Sequence, residues 1–296
     1  MLRAATRGSE LALWQTGHVA ALLGDDVEPV VITTAGDRDR ERPIEQMGGQ
    51  GVFVKEVQDA LLDGRADIAV HSAKDLQSTA TPGLVIGAFP ERGDARDALV
   101  GSTLDGLAAG AIVGTGSVRR RAQLAGLRPD LSFGPLRGNI ATRLEKAAGF
   151  SAIFVAAAAL ERLGLSHRAT EILDPSVLVP QVGQGALAVE CRSDDEATRA
   201  RLGAIDHRPT RRAVEAERAF LAGLGGGCDL PVGAHAVDAG DGRLRLTGLL
   251  ASPDGRVVLR VTDTGDDPVA LGAVVLERLL DQGGGRALLD EAEASP

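Results

Sequence analysis

The sequence has few aromatic residues, few cysteines, no long apolar run and no excess of positive charge. Of its 296 residues, 2% are aromatic, none is tyrosine, and two are cysteine, which gives neither a disulfide framework nor metal-ligand spacing. No apolar run approaches the length of a membrane span, and the N-terminus has no apolar core of signal-peptide length. The net charge of −9 disfavours a nucleic-acid partner. These absences predict a cytoplasmic protein that acts without a membrane, a nucleic acid or a metal.

Lysine is scarce as well, with three lysines among 32 basic residues. One of them, Lys74, follows the short apolar run at 68–70, which predicts a buried strand, and stands beside Asp75. Ligands of open α/β sheets bind outside the carboxyl ends of the strands. A lysine at such a place indicates a site that uses a compact ammonium group. A second lysine, Lys55, lies in the first turn of a predicted helix. The alternative for both is a solvated surface charge.

Two predicted strand-turn-helix units have turns suited to bind an anion. The first turn is Arg7-Gly8-Ser9 and the second is Gly114-Thr115-Gly116-Ser117, which precedes three arginines at 119–121. Cations at the positive end of a helix oppose its macrodipole, so a bound polyanion would compensate them. Arg137 and Arg143 add two cations to the same predicted edge, and Arg162 follows on a short helix, although each of these arginines alone is more often a surface charge.

The order of elements predicts two α/β lobes around a cleft, followed by a small α+β domain with a three-stranded antiparallel sheet. The chain crosses forward near Arg92 and returns near Pro180, where Gly183 and Gly185 would allow hinge movement. The predicted domains are 1–92 with 184–206, 93–183, and 207–296. In the first helix, the inward face is predicted to consist of Leu11, Trp14, Val19 and Leu22.

The two cysteines differ in their surroundings. Cys191 ends an apolar strand and is predicted to be a buried structural thiol. Cys228 follows three glycines and precedes Asp229, where no packing role is available. An exposed thiol is a liability unless it is used, so covalent attachment or nucleophilic chemistry is favoured over a harmless surface thiol.

Several motifs in the same order make the chain resemble the porphobilinogen deaminase family along nearly its whole length. The motifs are Ala5-Thr6-Arg7-Gly8-Ser9, Gly51-Val52-Phe53-Val54-Lys55-Glu56, Asp67-Ile68-Ala69-Val70-His71-Ser72-Ala73-Lys74-Asp75, Val113-Gly114-Thr115-Gly116-Ser117-Val118-Arg119-Arg120, Leu136-Arg137-Gly138-Asn139, Val182-Gly183-Gln184-Gly185-Ala186 and Gly226-Gly227-Cys228.

The resemblance implies a monomeric transferase with two lobes like type II periplasmic binding proteins and a third domain that carries the cofactor cysteine. The implied cofactor is a dipyrromethane, made from the substrate porphobilinogen and linked to Cys228 through a thioether. Four porphobilinogen units would be deaminated and joined head to tail onto it, and hydrolysis would release hydroxymethylbilane.

The resemblance also assigns the site residues. Asp75 matches the family's catalytic aspartate, with Lys74 beside it. The positions that match cofactor contacts are Cys228, Lys74, Asp75, Thr115, Ser117, Arg119, Arg120, Arg143 and Gly185. Those that match substrate contacts are Arg7, Ser9, Lys55, Arg119, Arg137, Arg143, Arg162 and Gln184. Acetate and propionate groups on each pyrrole explain why arginine, a bidentate partner of carboxylates, is expected there.

Two alternatives remain. A non-catalytic, two-lobed anion-binding protein explains the turns and hinges but neither Cys228 nor the third domain. A transferase that uses Cys228 as a transient nucleophile would form no stable adduct. The chain departs from the family pattern at Gln50, where lysine is frequent, at Gly116, where serine is more usual, and at Leu76-Gln77, where Val-Pro is frequent.

Overall fold

The structure, a computed structural model, describes residues 1–24, 27–34, 54–225, 230–282 and 284–293, and residues 291–293 by their backbone alone. The chain forms two compact units, 1–93 with 185–211 and 94–184 with 212–296. Elements up to residue 93 are β1 (Leu2–Arg7), α1 (Glu10–Leu23), β2 (Val27–Ile32), α2 (Lys55–Leu62), β3 (Ile68–Ser72) and β4 (Leu84–Ala88).

The next segment, to residue 184, contains β5 (Asp97–Val100), β6 (Ile112–Gly114), α3 (Val118–Leu127), β7 (Ser132–Gly134), α4 (Ile140–Lys146), β8 (Ala152–Ala156), α5 (Ala157–Arg162) and β9 (Glu171–Leu173). The remaining elements are β10 (Leu187–Arg192), α6 (Glu196–Gly203), α7 (Arg208–Ala222), β11 (Val232–Gly240), β12 (Arg243–Ala251), β13 (Val258–Gly265), α8 (Pro268–Asp281) and α9 (Gly285–Glu293).

The first unit is built on a five-stranded sheet in the order β2-β1-β3-β10-β4. Strands β1, β2 and β3 are parallel, whereas β10 runs antiparallel to β3 and β4. Successive side chains of β3 point to opposite faces, as the pleat requires. Ile68 and Val70 join a core cluster with Val19 of α1, and Ala69 joins another with Val57 of α2. Helices therefore cover both faces, and the carboxyl ends of three strands lie at one edge.

The predicted inward face of α1 is wrong in part. Trp14 and Leu22 are exposed, whereas the buried residues of the helix are Ala12, Gln15, Thr16 and Val19. The two polar members are satisfied where they are buried: the Gln15 amide donates to Ser72 Oγ at 2.9 Å, and Thr16 Oγ1 donates to the Ala12 carbonyl at 3.0 Å. A count of apolar residues could not detect a face held by hydrogen bonds.

The second unit repeats this design with a five-stranded sheet in the order β7-β6-β8-β5-β9. Strands β6, β7 and β8 are parallel, and β5 is antiparallel to β8 and β9. Phe154 of β8 packs on one face with Leu124 of α3, while Ile153 and Val155 pack on the other with Leu160 of α5. Asp97, the first residue of β5, is paired with Ala156, the last residue of β8, and so lies at the carboxyl edge.

The C-terminal part of the second unit has the antiparallel sheet β11-β12-β13. Phe220 of α7 and Val275 of α8 pack on it within one core cluster. Gly248 of β12 allows this close packing, because a Cβ at that position would lie 2.6 Å from Phe220. Asp267 caps α8 by accepting the Ala270 N–H at 2.7 Å, as expected from its place before Pro268.

The three sheets confirm the predicted fold class of α/β lobes with a small α+β part. Strands β5 and β9 were not expected, since runs of four and three residues carry little periodicity. The three-domain boundaries and the cleft stay predictions. Within the described ranges, no helix combines the length and the apolar character needed to cross a bilayer.

Candidate active site

In the first unit, the predicted catalytic pair lies in a single turn of 3-10 helix, Ala73–Asp75, directly after β3. One contact joins this turn to the sheet, and another joins the end of β3 to α1. The Ala73 N–H donates to the Ala186 carbonyl at 3.0 Å, and Ser72 Oγ accepts from Gln15 at 2.9 Å. Lys74 and Asp75 are both half-buried. The turn therefore presents the two side chains from a fixed backbone at the carboxyl edge of the sheet.

The Asp75 carboxylate belongs to the turn that directly follows β3. Across the described part of the chain, no hydrogen bond or ion pair engages it. Because no described residue occupies it, this half-buried carboxylate can exchange water for hydrogen-bond donors of a ligand. Such a group can accept pyrrole N–H donors or stabilise a developing positive charge.

A buried polar cluster lies behind the turn. His71 Nε2 is 3.1 Å from Glu190 Oε2, although the two are not aligned as a hydrogen bond. The Gln58 amide donates to both Glu190 oxygens, at 3.1 and 2.9 Å, and accepts from Thr81 Oγ1 at 3.0 Å. This cluster joins α2 to β3 and β10, so it steadies the strand that leads to Asp75. No separate role for His71 was predicted from the sequence.

The other predicted residues of this unit lie at strand and helix ends. Arg7 is the last residue of β1 and is half-buried. Because β1 is parallel to β3, with Ala5 opposite Ala69, the ends of both strands lie at one edge. Ser9 caps α1 by accepting the Ala12 N–H at 3.3 Å. Lys55 begins α2 and is exposed.

In the second unit, the turn between β6 and α3 is built around two hydroxyl groups. Buried Thr115 accepts the Ser117 N–H at 3.1 Å, and Ser117 caps α3 by accepting the Arg120 N–H at 3.4 Å. A Cβ at Gly116 would lie 3.0 Å from the Leu136 carbonyl oxygen. That close approach explains the glycine, and it places the Arg137 loop beside the turn.

The other predicted arginines of this edge differ in their hydrogen-bond partners and in their burial. Arg137 Nη1 is buried with no hydrogen-bond partner among the described residues. Arg143 Nε donates to the Gly138 carbonyl at 2.8 Å. Arg162, the last residue of α5, is half-buried, and desolvation lowers its pKa. These three side chains lie on the loop and helices that follow β7 and β8.

Arg119 and Arg120 form a buried cluster with an aspartate that the sequence did not reveal. Asp97 Oδ2 accepts from Arg119 Nη2 at 2.9 Å, and Oδ1 accepts from Arg120 Nε and Nη2 at 2.9 and 2.6 Å. The amide of fully buried Gln184 donates to the same Oδ1 at 3.0 Å. The prediction that a bound polyanion compensates the helix arginines is therefore wrong in part, because Asp97 supplies an anion to these two.

The charges in this cluster determine the state of Asp97. Burial alone would raise the pKa of Asp97, but the adjacent Arg119 and Arg120 guanidinium groups and the Gln184 hydrogen bond outweigh it and hold the pKa far below its usual range. Two guanidinium charges and one carboxylate leave one net positive charge. The only sequence signal for Asp97 was an acidic residue at the start of the apolar run Ala98-Leu99-Val100.

The remaining predicted residues concern the cofactor thiol and the return crossing. Cys228 lies outside the described residues. Cys191 is fully buried, as predicted, and burial raises the pKa of its thiol to about 11. Gly185 has a φ of +83° and accepts the Gly93 N–H at 3.1 Å, while Gly183 has a φ of +69°. Both glycines therefore use backbone conformations that other residues rarely adopt.

The donors of the second unit fit a polycarboxylate such as a dipyrromethane. Arg119 Nε and Arg137 Nη1 are buried nitrogens without an acceptor among the described residues. Since buried guanidinium donors are normally paired, an acceptor from a bound carboxylate would complete their hydrogen bonding. Among the described side chains, no group of three or more His, Cys, Asp or Glu is suited to hold a metal ion.

Family comparisons agree with this chemistry. Residues 2–200 match the model described as "Porphobilinogen deaminase, dipyromethane cofactor binding domain", and residues 211–281 match "Porphobilinogen deaminase, C-terminal domain". Among similar curated proteins, the porphobilinogen deaminase of Brevibacillus brevis is 48% identical over 295 residues, covering 96% of each chain. That of Syntrophus aciditrophicus is 45% identical over 304 residues, covering 99% of each.

Similarity to solved structures is weaker. A TRAP periplasmic solute binding protein from Ralstonia eutropha, solved with bound (S)-2-acetolactate, covers 98% of this chain and 96% of its own at 13% identity and a TM-score of 0.40.

Proposed function

The chain belongs to the porphobilinogen deaminase family, and from this we propose that it is a transferase, hydroxymethylbilane synthase, which joins four porphobilinogen molecules head to tail and releases hydroxymethylbilane. The observation that carries the proposal is the match of residues 2–200 to the cofactor-binding domain of this family. The hydrogen-bond donors of this chain support the proposal, because arginines and hydroxyl groups lie at the carboxyl edge of each five-stranded sheet.

We assign the attachment of the dipyrromethane to Cys228, through a thioether, since Cys191 is buried with a raised pKa. The residues proposed to hold its carboxylates and pyrrole nitrogens are Lys74, Asp75, Thr115, Ser117, Arg119, Arg120, Arg143 and Gly185. When bound, the dipyrromethane supplies the pyrrole carbon onto which the first substrate unit is joined.

The proposed substrate contacts are Arg7, Ser9, Lys55, Arg119, Arg137, Arg143, Arg162 and Gln184. Arg137 is the best supported of these, because a nitrogen of its guanidinium has no protein acceptor within the described ranges. Acetate and propionate groups of porphobilinogen are the anions that a guanidinium binds in a bidentate manner. Gln184 contributes through Asp97, since its amide donates to that carboxylate and to the Ala95 carbonyl.

Asp75 is the proposed catalytic carboxylate. Loss of ammonia from porphobilinogen leaves a cation that is conjugated with the pyrrole ring, and an ionised carboxylate beside the pyrrole N–H lowers the energy of that cation. Because the Asp75 carboxylate has no partner within the described ranges, ligand binding there exchanges water for pyrrole N–H donors and breaks no hydrogen bond to a described residue. Lys74 adds a positive charge that attracts the substrate carboxylates.

The non-catalytic binding protein is not favoured, because both matching family models belong to an enzyme. Monomeric state, cytoplasmic location and absence of a metal stay predictions.

The test is incubation of the purified protein with porphobilinogen while ammonia and the linear tetrapyrrole are both measured. We expect four ammonia molecules for each hydroxymethylbilane released. Binding of porphobilinogen without release of ammonia would instead identify a binding protein.

A further inference from the structure

Asp97 is a buried carboxylate that accepts several hydrogen bonds from predicted ligand-binding residues. Its side chain is fully buried, and its two oxygens accept four hydrogen bonds from Arg119, Arg120 and Gln184. All three donors belong to residues predicted to bind cofactor or substrate, yet Asp97 itself matches no predicted contact. The orientation of these three side chains therefore depends on the Asp97 carboxylate.

The contacts fix each guanidinium at both ends. Arg119 Nη2 bonds to Asp97 while its Nη1 donates to the Val179 carbonyl at 2.6 Å. Arg120 bonds to Asp97 through Nε and Nη2, while Nη1 donates to the Phe154 carbonyl at 3.4 Å. Such bidentate, charge-assisted bonds fix direction as well as distance. The two side chains cannot change rotamer without breaking contacts to Asp97.

The carboxylate also sets the local charge. Two guanidinium groups alone would place two like charges next to each other in a buried position, which is costly. With Asp97 the cluster retains one positive charge, and Arg119 Nε remains a donor without an acceptor among the described residues. The cluster thus remains attractive to an anion while its arginines are held in place.

We propose that Asp97 is a positioning residue of the deaminase, which holds Arg119, Arg120 and Gln184 in the arrangement that binds the carboxylates of the pyrrole chain. The proposal rests on the proposed function. Asp97 touches no pyrrole in this account and acts through the arginines.

The test compares turnover for each cofactor-loaded molecule in the wild type, Asp97→Asn, Arg120→Gln and the double variant. Intact mass gives the loaded fraction, and circular dichroism gives the folded fraction. We expect roughly tenfold or greater loss of kcat in Asp97→Asn, because small displacements of binding groups have large effects on rate. We also expect the double variant to lose less than the product of the two single losses, because coupled residues are not additive.

Asp130→Asn is the matched control, since Asp130 pairs with Arg128 at the other end of α3 on the surface. We expect this variant to stay within about twofold of the wild type. If Asp97→Asn does not fold, Asp97→Glu retains the buried charge but displaces the carboxylate by one methylene group. Its kcat is then expected to fall while its circular dichroism spectrum stays that of the wild type.

Wild-type kcat in loaded, folded Asp97→Asn or Asp97→Glu would overturn the proposal, because Asp97 would then be structural only. Losses that multiply in the double variant would overturn it as well, since Asp97 would act independently of Arg120. A wild-type protein that makes no hydroxymethylbilane in the same assay contradicts the proposed function instead, so the two failures are distinguishable.

Discussion

Asp75 and Asp97 are both aspartates at the carboxyl edge of a five-stranded sheet, but their surroundings are opposite. Asp97 is fully buried among two guanidinium groups and an amide, whereas half-buried Asp75 has no hydrogen bond within the described ranges. Asp75 could be predicted from the sequence because a short strand leads into it and a scarce lysine precedes it. Asp97 could not, because its arginine partners are 22 and 23 residues away along the chain and Gln184 is 87 residues away.

The environment of Asp75 leads to a prediction for its amide variant. Asp75→Asn keeps the shape of the side chain but removes the charge that stabilises the cationic substrate. We expect kcat to fall by about 10²- to 10³-fold, the usual effect of removing one such electrostatic group. The measurement is the initial rate of ammonia release at saturating porphobilinogen.

Asp63→Asn serves as the control for Asp75, because Asp63 pairs with Arg65 on the surface of the same unit. This variant should retain wild-type turnover. Retention of more than about a tenth of wild-type turnover by Asp75→Asn would exclude a catalytic role for Asp75.

At the scale of elements, the N-terminus of α3 carries both a helix cap and the arginines proposed to bind carboxylates. Ser117 caps it, and the arginines that follow are held by Asp97 rather than left to a ligand alone. Sequence patterns were sufficient for this element, because a turn with Gly and Ser followed by a helical run has a clear signature. They were insufficient for α1, whose buried face contains Gln15 and Thr16 and is stabilised by hydrogen bonds.

Replacement of the Ser117 cap of α3 tests whether its hydroxyl stabilises the helix, contributes to ligand binding, or does both. Ser117→Ala removes the hydroxyl that accepts the Arg120 N–H, so we expect the free energy of unfolding to fall by about 0.5–1 kcal/mol. We also expect KM for porphobilinogen to rise, since the hydroxyl is a proposed cofactor contact. Urea denaturation and steady-state kinetics measure the two effects.

Asp267→Ala is the matched control for the cap, because it removes the cap of α8 in the α+β part. It should lose a similar stability with no change in KM. An unchanged KM in Ser117→Ala as well would restrict Ser117 to a structural role.

At the scale of the whole molecule, the two five-stranded sheets have equivalent strand orders, with three parallel strands followed by an antiparallel return strand next to the third. This repetition was predictable, because strand-turn-helix units recur in both halves of the sequence. The short strands β5 and β9 were not, since their pairing is set by distant partners. The motion of the lobes and the cleft between them stay predictions.

Acid stability depends on Asp97. Its pKa is lowered in the folded state, so the stability that it contributes is fully present above the unfolded value of about 3.9 and is lost as pH falls toward the folded value. Between pH 5 and 3 we expect the free energy of unfolding to fall more steeply in the wild type than in Asp97→Asn. The difference in slope is at most about 1.4 kcal/mol per pH unit for one proton.

Urea denaturation at several pH values measures this slope. Asp105→Asn, which changes an exposed aspartate of the same unit, is expected to keep the wild-type slope. Equal slopes in the wild type and Asp97→Asn would mean that Asp97 is not held ionised by its arginines.

The most direct test of the central claim is the intact mass of the purified protein, compared with Cys228→Ser and Cys191→Ser. We predict that the wild type and Cys191→Ser exceed the mass of the polypeptide by two linked porphobilinogen-derived rings, and that Cys228→Ser does not. An unmodified wild-type mass that persists after incubation with porphobilinogen would contradict the account, because the chain would then have no anchored cofactor on which to build the tetrapyrrole.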